Sequence, residues 1–203
     1  MFFEPRLGHG LPHDPFRAIA APRPIGWVST LSKEGILNLA PYSFFNAVAG
    51  QPPMVMISSE GIKDSIRNID ATREFVINLA TLPLAKKMNE TSRDLSPEIN
   101  EFELAGLTAV PSKLVRPPRV GESPAALECK VTEILPLKDL SGNPGERVMA
   151  IAEVVGIFIN ESYLTEGAFD MVKAQTLARC GYWDYQVTTE LFRMPRPGYE
   201  DAH

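Results

Sequence analysis

Apolar and polar positions along this chain alternate as in short strands separated by turns, and helical spacing appears in only two places. From Arg23 to Ser32, "RPIGWVSTLS" is rich in β-branched and aromatic types, which suit a pleated strand, and it stops at "KEG", a turn signal centred on Gly35. A second strand follows at "ILNLAPYS". There Pro41 lacks a backbone donor and so marks an edge, a bulge or a break in the ladder. "SFFNAVAG" keeps the strand texture as far as "QPP", and Met54–Ser58, "MVMIS", is an apolar run suited to a central strand. The period changes at Ile62. Ile62, Ile66 and Ile69 are spaced by four and three residues, which stacks them on one helical face and puts Lys63, Asp64, Arg67 and Asn68 elsewhere. Asp64 or Ser65 is the expected N-cap. Glu74–Thr81, "EFVINLAT", returns to strand, and Leu84–Thr91 reads as a second short helix.

Beyond these elements, residues 100–123 read as a loop divided by Pro111, Pro117 and Pro118, long enough for a lid or a subunit contact. Two longer strands, Ala126–Leu137 and Val148–Ile159, flank "LSGNPGE", a cluster that fits a hairpin connection. Near the end, "LARCGYWDYQVTT" sets Gly181 beside aromatics ahead of a last short strand. Six or more strands with one principal helix after the fourth predict a mainly β fold: a closed or nearly closed, Greek-key-like antiparallel barrel with peripheral helices. A doubly wound sheet would need regular strand and helix alternation, which stops after residue 95.

Composition narrows the class further. With 203 residues, 44% of them hydrophobic, the chain can form one substantial core, and a single domain over 1–203 with a barrel core at about 15–190 is expected. Eighteen prolines and fourteen glycines suit many turns better than a helix bundle. A net charge of −5 without a run of Lys or Arg leaves no footprint for nucleic acid or an anionic membrane, so small-molecule chemistry is favoured. Cys129 and Cys180 are too few and too far apart for a metal framework and read as two free thiols. The opening residues lack the basic and apolar pattern of a secretory signal, and no apolar run of about 18 residues occurs, so a soluble cytoplasmic protein is expected.

The strongest chemical candidate is "SSEGIKDS". Two hydroxyls at a strand end, Ser58 and Ser59, meet a helix start at Lys63, Asp64 and Ser65. Helix N-termini expose unpaired N–H groups and partial positive charge, Lys63 adds a full charge, and the serines add neutral donors. Two readings stand open here: an anion site, and an ordinary capped helix with a surface lysine. Around Pro41, "WVSTLS" and "NLAPYSFFN" offer alternating polar groups and a disrupted backbone that suit the polar edge of a flat ring, although Trp27, Phe44 and Phe45 equally suit a core. "GHG" at residues 8–10 is no dinucleotide fingerprint, and no nucleophile elbow or paired carboxylates occur. No catalytic side chain and no metal ligand are assigned.

In order and spacing, "RPIGWVST", "NLAPYSFFN", the following "PP", "KDS" with Asn68, and "EFVIN" resemble the flavin reductase-like family, most specifically over about Pro22–Leu82 and more loosely to "RCGYWDY". The resemblance implies an FMN-binding split β-barrel, homodimeric, with FMN (in some members FAD) near the subunit interface and NAD(P)H as electron donor. It places Ser29, Thr30 and Leu31 along the flavin; Ala40, Pro41, Ser43, Phe44 and Asn46 at the ring or ribityl chain; and Ser58, Ser59, Lys63, Asp64 and Ser65 around the phosphate. Arg179 and Tyr182 are further candidates for reaching a flavin. An NAD(P)H-dependent flavin reductase that serves a monooxygenase is the expected activity, and a flavoredoxin-like carrier serving a redox protein is the alternative. One departure is that His9, His13 and His203 all lie near the chain ends, so no mid-chain histidine is available to a nicotinamide.

Overall fold

The computed structural model of the protein describes residues 1–195, 197 and 198. Seven strands form its main sheet: β1 (Gly26–Leu31), β2 (Leu37–Tyr42), β3 (Phe45–Gly50), β4 (Pro53–Glu60), β5 (Glu74–Leu79), β6 (Ala125–Lys138) and β7 (Pro144–Ile159). They pair antiparallel in the order β2-β1-β5-β6-β7-β4-β3. The two end strands are therefore β2 and β3, which follow one another in sequence with only Ser43 and Phe44 between them. Three Cα steps reach about 11 Å at most, so the ends of the sheet must lie side by side. No ladder joins them among the described residues, and the result is a mainly β barrel split between β2 and β3. Gly26 marks how close the approach is: a Cβ added there would lie 2.8 Å from Cγ of Phe45, a residue of the far end strand.

Inside the curl, Val28, Ile57, Phe75, Ile77 and Ala150 share one apolar cluster with Ile66 and Ile69 of helix α1 (Asp64–Thr72). A second cluster on the outer side of β1 and β2 joins Trp27 and Leu39 to Met88 of α2 (Ala85–Glu90) and to Phe102, Leu107 and Val120. Both faces of β1 are thus covered, which explains why Gly26–Thr30 is buried throughout instead of at alternate positions. Trp27, with no exposure, satisfies its indole N–H on Thr91 Oγ1 at 2.9 Å. A small three-stranded sheet of Arg23–Pro24, Leu177–Arg179 and Tyr185–Val187 brings the late segment beside the start of β1.

Several local expectations change. The N-cap of α1 is Lys63, with no side-chain capping bond, in place of Asp64 or Ser65. Ile62 precedes the helix and is 66% exposed, so the buried face is formed by Ser65, Ile66, Asn68 and Ile69, and Asn68 belongs to it. "MVMIS" lies in β4, second from an end of the sheet instead of at its centre. Residues 100–123 include a helical turn at Glu101–Leu104 and a two-strand pairing of Ala109–Val110 with Arg119–Val120. They supply core side chains and dock through Ser29 Oγ to Pro118 O (2.6 Å) and Val120 N to Asn78 Oδ1 (2.7 Å). Pro41 stands in an end strand, as its missing donor requires. Gly35 turns the β1 to β2 hairpin at φ +91°.

Candidate functional site

A groove runs where the barrel is split, between the end of β2, the end of β4 and the start of α1. One part of it is an open cavity of about 200 Å³ lined by Arg17, Phe44, Ser58, Ser59, Lys63 and Arg147. Gly61, at φ +74°, ends β4 and turns the chain towards the helix, so the Ser58–Ser59 pair and the α1 N-terminus meet at one place. Ser58 and Ser59 are 7% and 2% exposed, and neither hydroxyl oxygen has a hydrogen-bond partner. A buried hydroxyl without a partner costs about 1–3 kcal/mol, so two together mark a place prepared for a polar ligand.

Charge around the cavity favours an anion. Arg17, Lys63 and Arg147 line it, with Glu60 as the carboxylate, paired to Arg147 at 2.9 Å. Arg147 and Arg23 also approach the Phe44 ring, with guanidinium carbons 5.0 and 5.6 Å from its centroid. Burial, and then the charges of Arg17 and Arg179, lower the pKa of Arg23. On a chain of net charge −5, this concentration of arginines is local and specific. A phosphate monoester fits this donor set: its oxygens only accept when fully ionised, and the orphan serines, the cations and the free N–H groups of a helix start all donate.

Next to this cavity, Ala40, Pro41, Asp64, Ser65, Arg93 and Glu101 line a second recess of about 130 Å³, which shares Pro41, Tyr42 and Lys63 with the first. A third, of about 150 Å³, carries the groove past Pro41 and Ser43 to Ile25, Arg179 and Tyr185. Burial raises the pKa of the Tyr42 phenol, and the nearby Ser65 and Ser59 hydroxyls pull it down; the approach to Ser59 falls short of a hydrogen bond. Burial likewise raises the pKa of Glu101, against N–H donation from Leu39 and Asn38.

The sequence candidates therefore divide. Ala40, Pro41, Ser43, Phe44, Ser58, Ser59, Lys63, Asp64, Ser65 and Arg179 all line these three recesses. Asn46 lines a separate recess with Phe44, Pro22 and Met56. Ser29 and Thr30 are fully buried, with their hydroxyls given to Pro118 O and Asn38 Oδ1, and neither they nor Leu31 line any of these recesses. The Ser65 hydroxyl is committed to Asn38 Oδ1 at 2.8 Å, so only its backbone N–H remains to face a ligand. Tyr182 stands outside the recesses at φ +53°, its carbonyl accepting from Arg179. His13 packs its ring 5.2 Å from that of Tyr182, which brings a histidine near the Arg179 end of the groove from a distant part of the chain. His203 lies outside the described residues.

Sequence reasoning missed Tyr42, Arg147, Arg17 and Glu101. Tyr42 stood inside the quoted "NLAPYSFFN". Arg147 reaches the site only because β7 pairs with β4 and sets Arg147 opposite Glu60, a register that no local pattern announces.

Comparison with known proteins identifies the family and the fold. Residues 18–176 match the family model described as flavin reductase like domain. An uncharacterised protein of Aquifex aeolicus is 44% identical over 140 residues, covering 66% of this chain and 71% of its own. The crystal structure of nitrilotriacetate monooxygenase component B from Bacillus cereus superposes with a TM-score of 0.86 at 29% identity, over 96% of this chain and 98% of that one. The Pseudomonas fluorescens 2-nitrobenzoate 2-nitroreductase does so with a TM-score of 0.78 at 31% identity, over 90% and 89%.

Proposed function

Because this chain belongs to the flavin reductase-like family, we propose that it is a single-domain, FMN-binding oxidoreductase that takes electrons from NAD(P)H and delivers them to a partner such as a monooxygenase. The observation that carries the flavin reading is the pair of buried, unpartnered Ser58 and Ser59 hydroxyls beside Arg17, Lys63 and Arg147. On this reading Ser58, Ser59, Lys63 and Arg147 hold the phosphate with the backbone N–H groups of Asp64 and Ser65, and Pro41, Ser43 and Phe44 flank the rest of the flavin. A bound flavin supplies the two-electron redox chemistry, while the chain binds it, orients it and limits water around it. The related Bacillus cereus and Pseudomonas fluorescens proteins, a monooxygenase component and a nitroreductase by name, support the enzymatic reading. Purified protein supplied with FMN is expected to oxidise NADH or NADPH well above the rate of free FMN. A rate equal to that background overturns the reductase proposal.

A second reading, a flavoredoxin-like carrier, draws on one observation: neither His9 nor His13 lines the three recesses of the groove, although His13 reaches the Tyr182 ring near its Arg179 end. A yellow protein that nicotinamides leave oxidised and a redox protein reduces would establish it.

We further propose that the chain acts as a homodimer, and one apolar face supports this reading. An apolar cavity of about 530 Å³ opens beside Ile25, Phe45, Ile77, Leu127, Ile157 and Leu177, and Ile157 is 62% exposed in the single chain.

A further inference from the structure

One chain of buried hydrogen bonds runs from residues 100–123 to the start of α1, and no step proposed so far uses it. Glu101 is 6% exposed and uses both carboxylate oxygens: Oε1 accepts from Asn38 Nδ2 at 3.2 Å, and Oε2 accepts from Leu39 N at 3.0 Å. Leu39 belongs to β2, an end strand, so the carboxylate stands where a neighbouring strand would otherwise accept. Asn38 Oδ1 in turn accepts from Ser65 Oγ at 2.8 Å and from Thr30 Oγ1 at 3.2 Å, and Thr30 Oγ1 accepts from Asn68 Nδ2 at 3.0 Å. Asn38, Thr30, Ser65 and Asn68 are all buried.

Every bond in this network donates towards Glu101, and that direction has a consequence. An ionised carboxylate can only accept, so it holds the Asn38 amide with its nitrogen towards Glu101 and its oxygen towards Ser65 and Thr30. An amide facing Glu101 in the other sense would oppose two acceptors and leave the Ser65 hydroxyl without its own. Asn68 and Ser65 both sit on α1, Ser65 in its first turn, so the same network fixes the helix start against β2. Lys63 and the Asp64 and Ser65 N–H groups are carried on that turn.

We infer that Glu101 is a positioning residue for the anion site: through Asn38 and Ser65 it sets the first turn of α1 in the geometry that holds the ligand's phosphate. The inference rests on the flavin phosphate reading and adds a residue that touches neither flavin nor substrate. It also runs against simple electrostatics. Glu101 lines the same recess as Lys63, so as a charge alone it would repel an anion, and its removal would strengthen phosphate binding. Positioning and repulsion therefore predict opposite signs.

Riboflavin lacks the phosphate and separates the two cases. In titrations of the flavin-free protein with FMN and with riboflavin, followed by flavin fluorescence, the wild type is expected to prefer FMN. Glu101→Gln, which keeps the shape and removes the obligatory acceptor, is expected to lose roughly tenfold of that preference, with riboflavin affinity unchanged. Ser65→Ala is expected to lose a similar share, and the double variant no more than either single one, because all three break the same chain. Parallel losses for both flavins in Glu101→Gln, an unchanged preference, or a gain in FMN affinity would each overturn the inference. If Glu101→Gln fails to fold, an intact preference in Ser65→Ala overturns it. A wild type that binds both flavins equally would instead overturn the phosphate reading itself.

Discussion

The groove at the start of α1 and the apolar cavity beside Leu177 meet at Ile25 and Phe45, yet they are made of opposite materials. The groove gathers cations, orphan hydroxyls and a helix start from three short stretches, residues 38–44, 58–65 and 91–95, with Arg17, Glu101 and Arg147 added from elsewhere in the chain. The cavity is almost wholly apolar and is assembled from eight separate stretches between Pro22 and Thr188. A polar site announces itself by residue types that are costly to bury without partners, whereas an apolar hollow is distinguished from a core only by shape. The groove therefore carries a chemical preference, and the cavity carries the surface proposed for a second copy of the chain.

The largest effect should come from placing a charge on the apolar side. Ile157→Asp would leave an unpaired carboxylate in the proposed dimer contact, at a cost of several kcal/mol, about enough to abolish association. Light scattering is expected to give a dimer for the wild type and a monomer for the variant; a wild-type monomer contradicts the assignment of this face. On the polar side, Lys63→Ala should weaken FMN by about 1–3 kcal/mol and riboflavin hardly at all, and equal FMN affinity in titration would remove Lys63 from the site. Ser58→Ala with Ser59→Ala should sharpen the contrast. Each is expected to reduce FMN affinity by about 1 kcal/mol while leaving the flavin-free protein as stable or more so, since an unpartnered buried hydroxyl disappears. A lower urea midpoint in the flavin-free double variant would show that these serines already have partners.

The smallest effect concerns neither region and serves as a control. At the hairpin between β6 and β7, the Asn143 backbone N–H, then its side chain and the Ser141 and Gly142 N–H groups, hold the Asp139 carboxyl below the usual range. A pKa lowered in the folded state gives stabilisation that is present above the ordinary carboxylate pKa and is lost as pH falls through the lowered one. Protection of the Ser141 and Asn143 amides against exchange, taken relative to the intrinsic rate at each pH, should thus fall in acid before that of the groove residues. Simultaneous loss of protection would tie the hairpin tip to the site.

How much of this was legible follows from the same contrast. The hairpin turn at Gly35, the edge position of Pro41 and the strand runs were readable because each depends on neighbours in sequence. Ser58, Ser59 and Lys63, set close together in sequence at a strand end and a helix start, do line one recess. Ile62 misled because four-and-three spacing says nothing about where the first helical turn begins; with Lys63 as the cap, Ile62 lies before it. Ser29 and Thr30 looked equally suited to line a ligand, but residues 100–123 close over that part of β1 and take the Ser29 hydroxyl, and Asn38 takes that of Thr30. Glu101 and Arg147 were out of reach for a related reason. Their partners Asn38 and Glu60 are 63 and 87 residues away, so only the completed barrel brings them together.

The two cysteines differ in a way that bears on experiment. Cys129 has no exposure, and burial pushes its thiol pKa far up, so it stays protonated and inert under native conditions. Cys180 is half-buried and follows Arg179 directly at the far end of the groove. A thiol-directed fluorophore should therefore attach at one position per chain, beside the groove, and on the proposed flavin reading it would report FMN binding without any engineered label site.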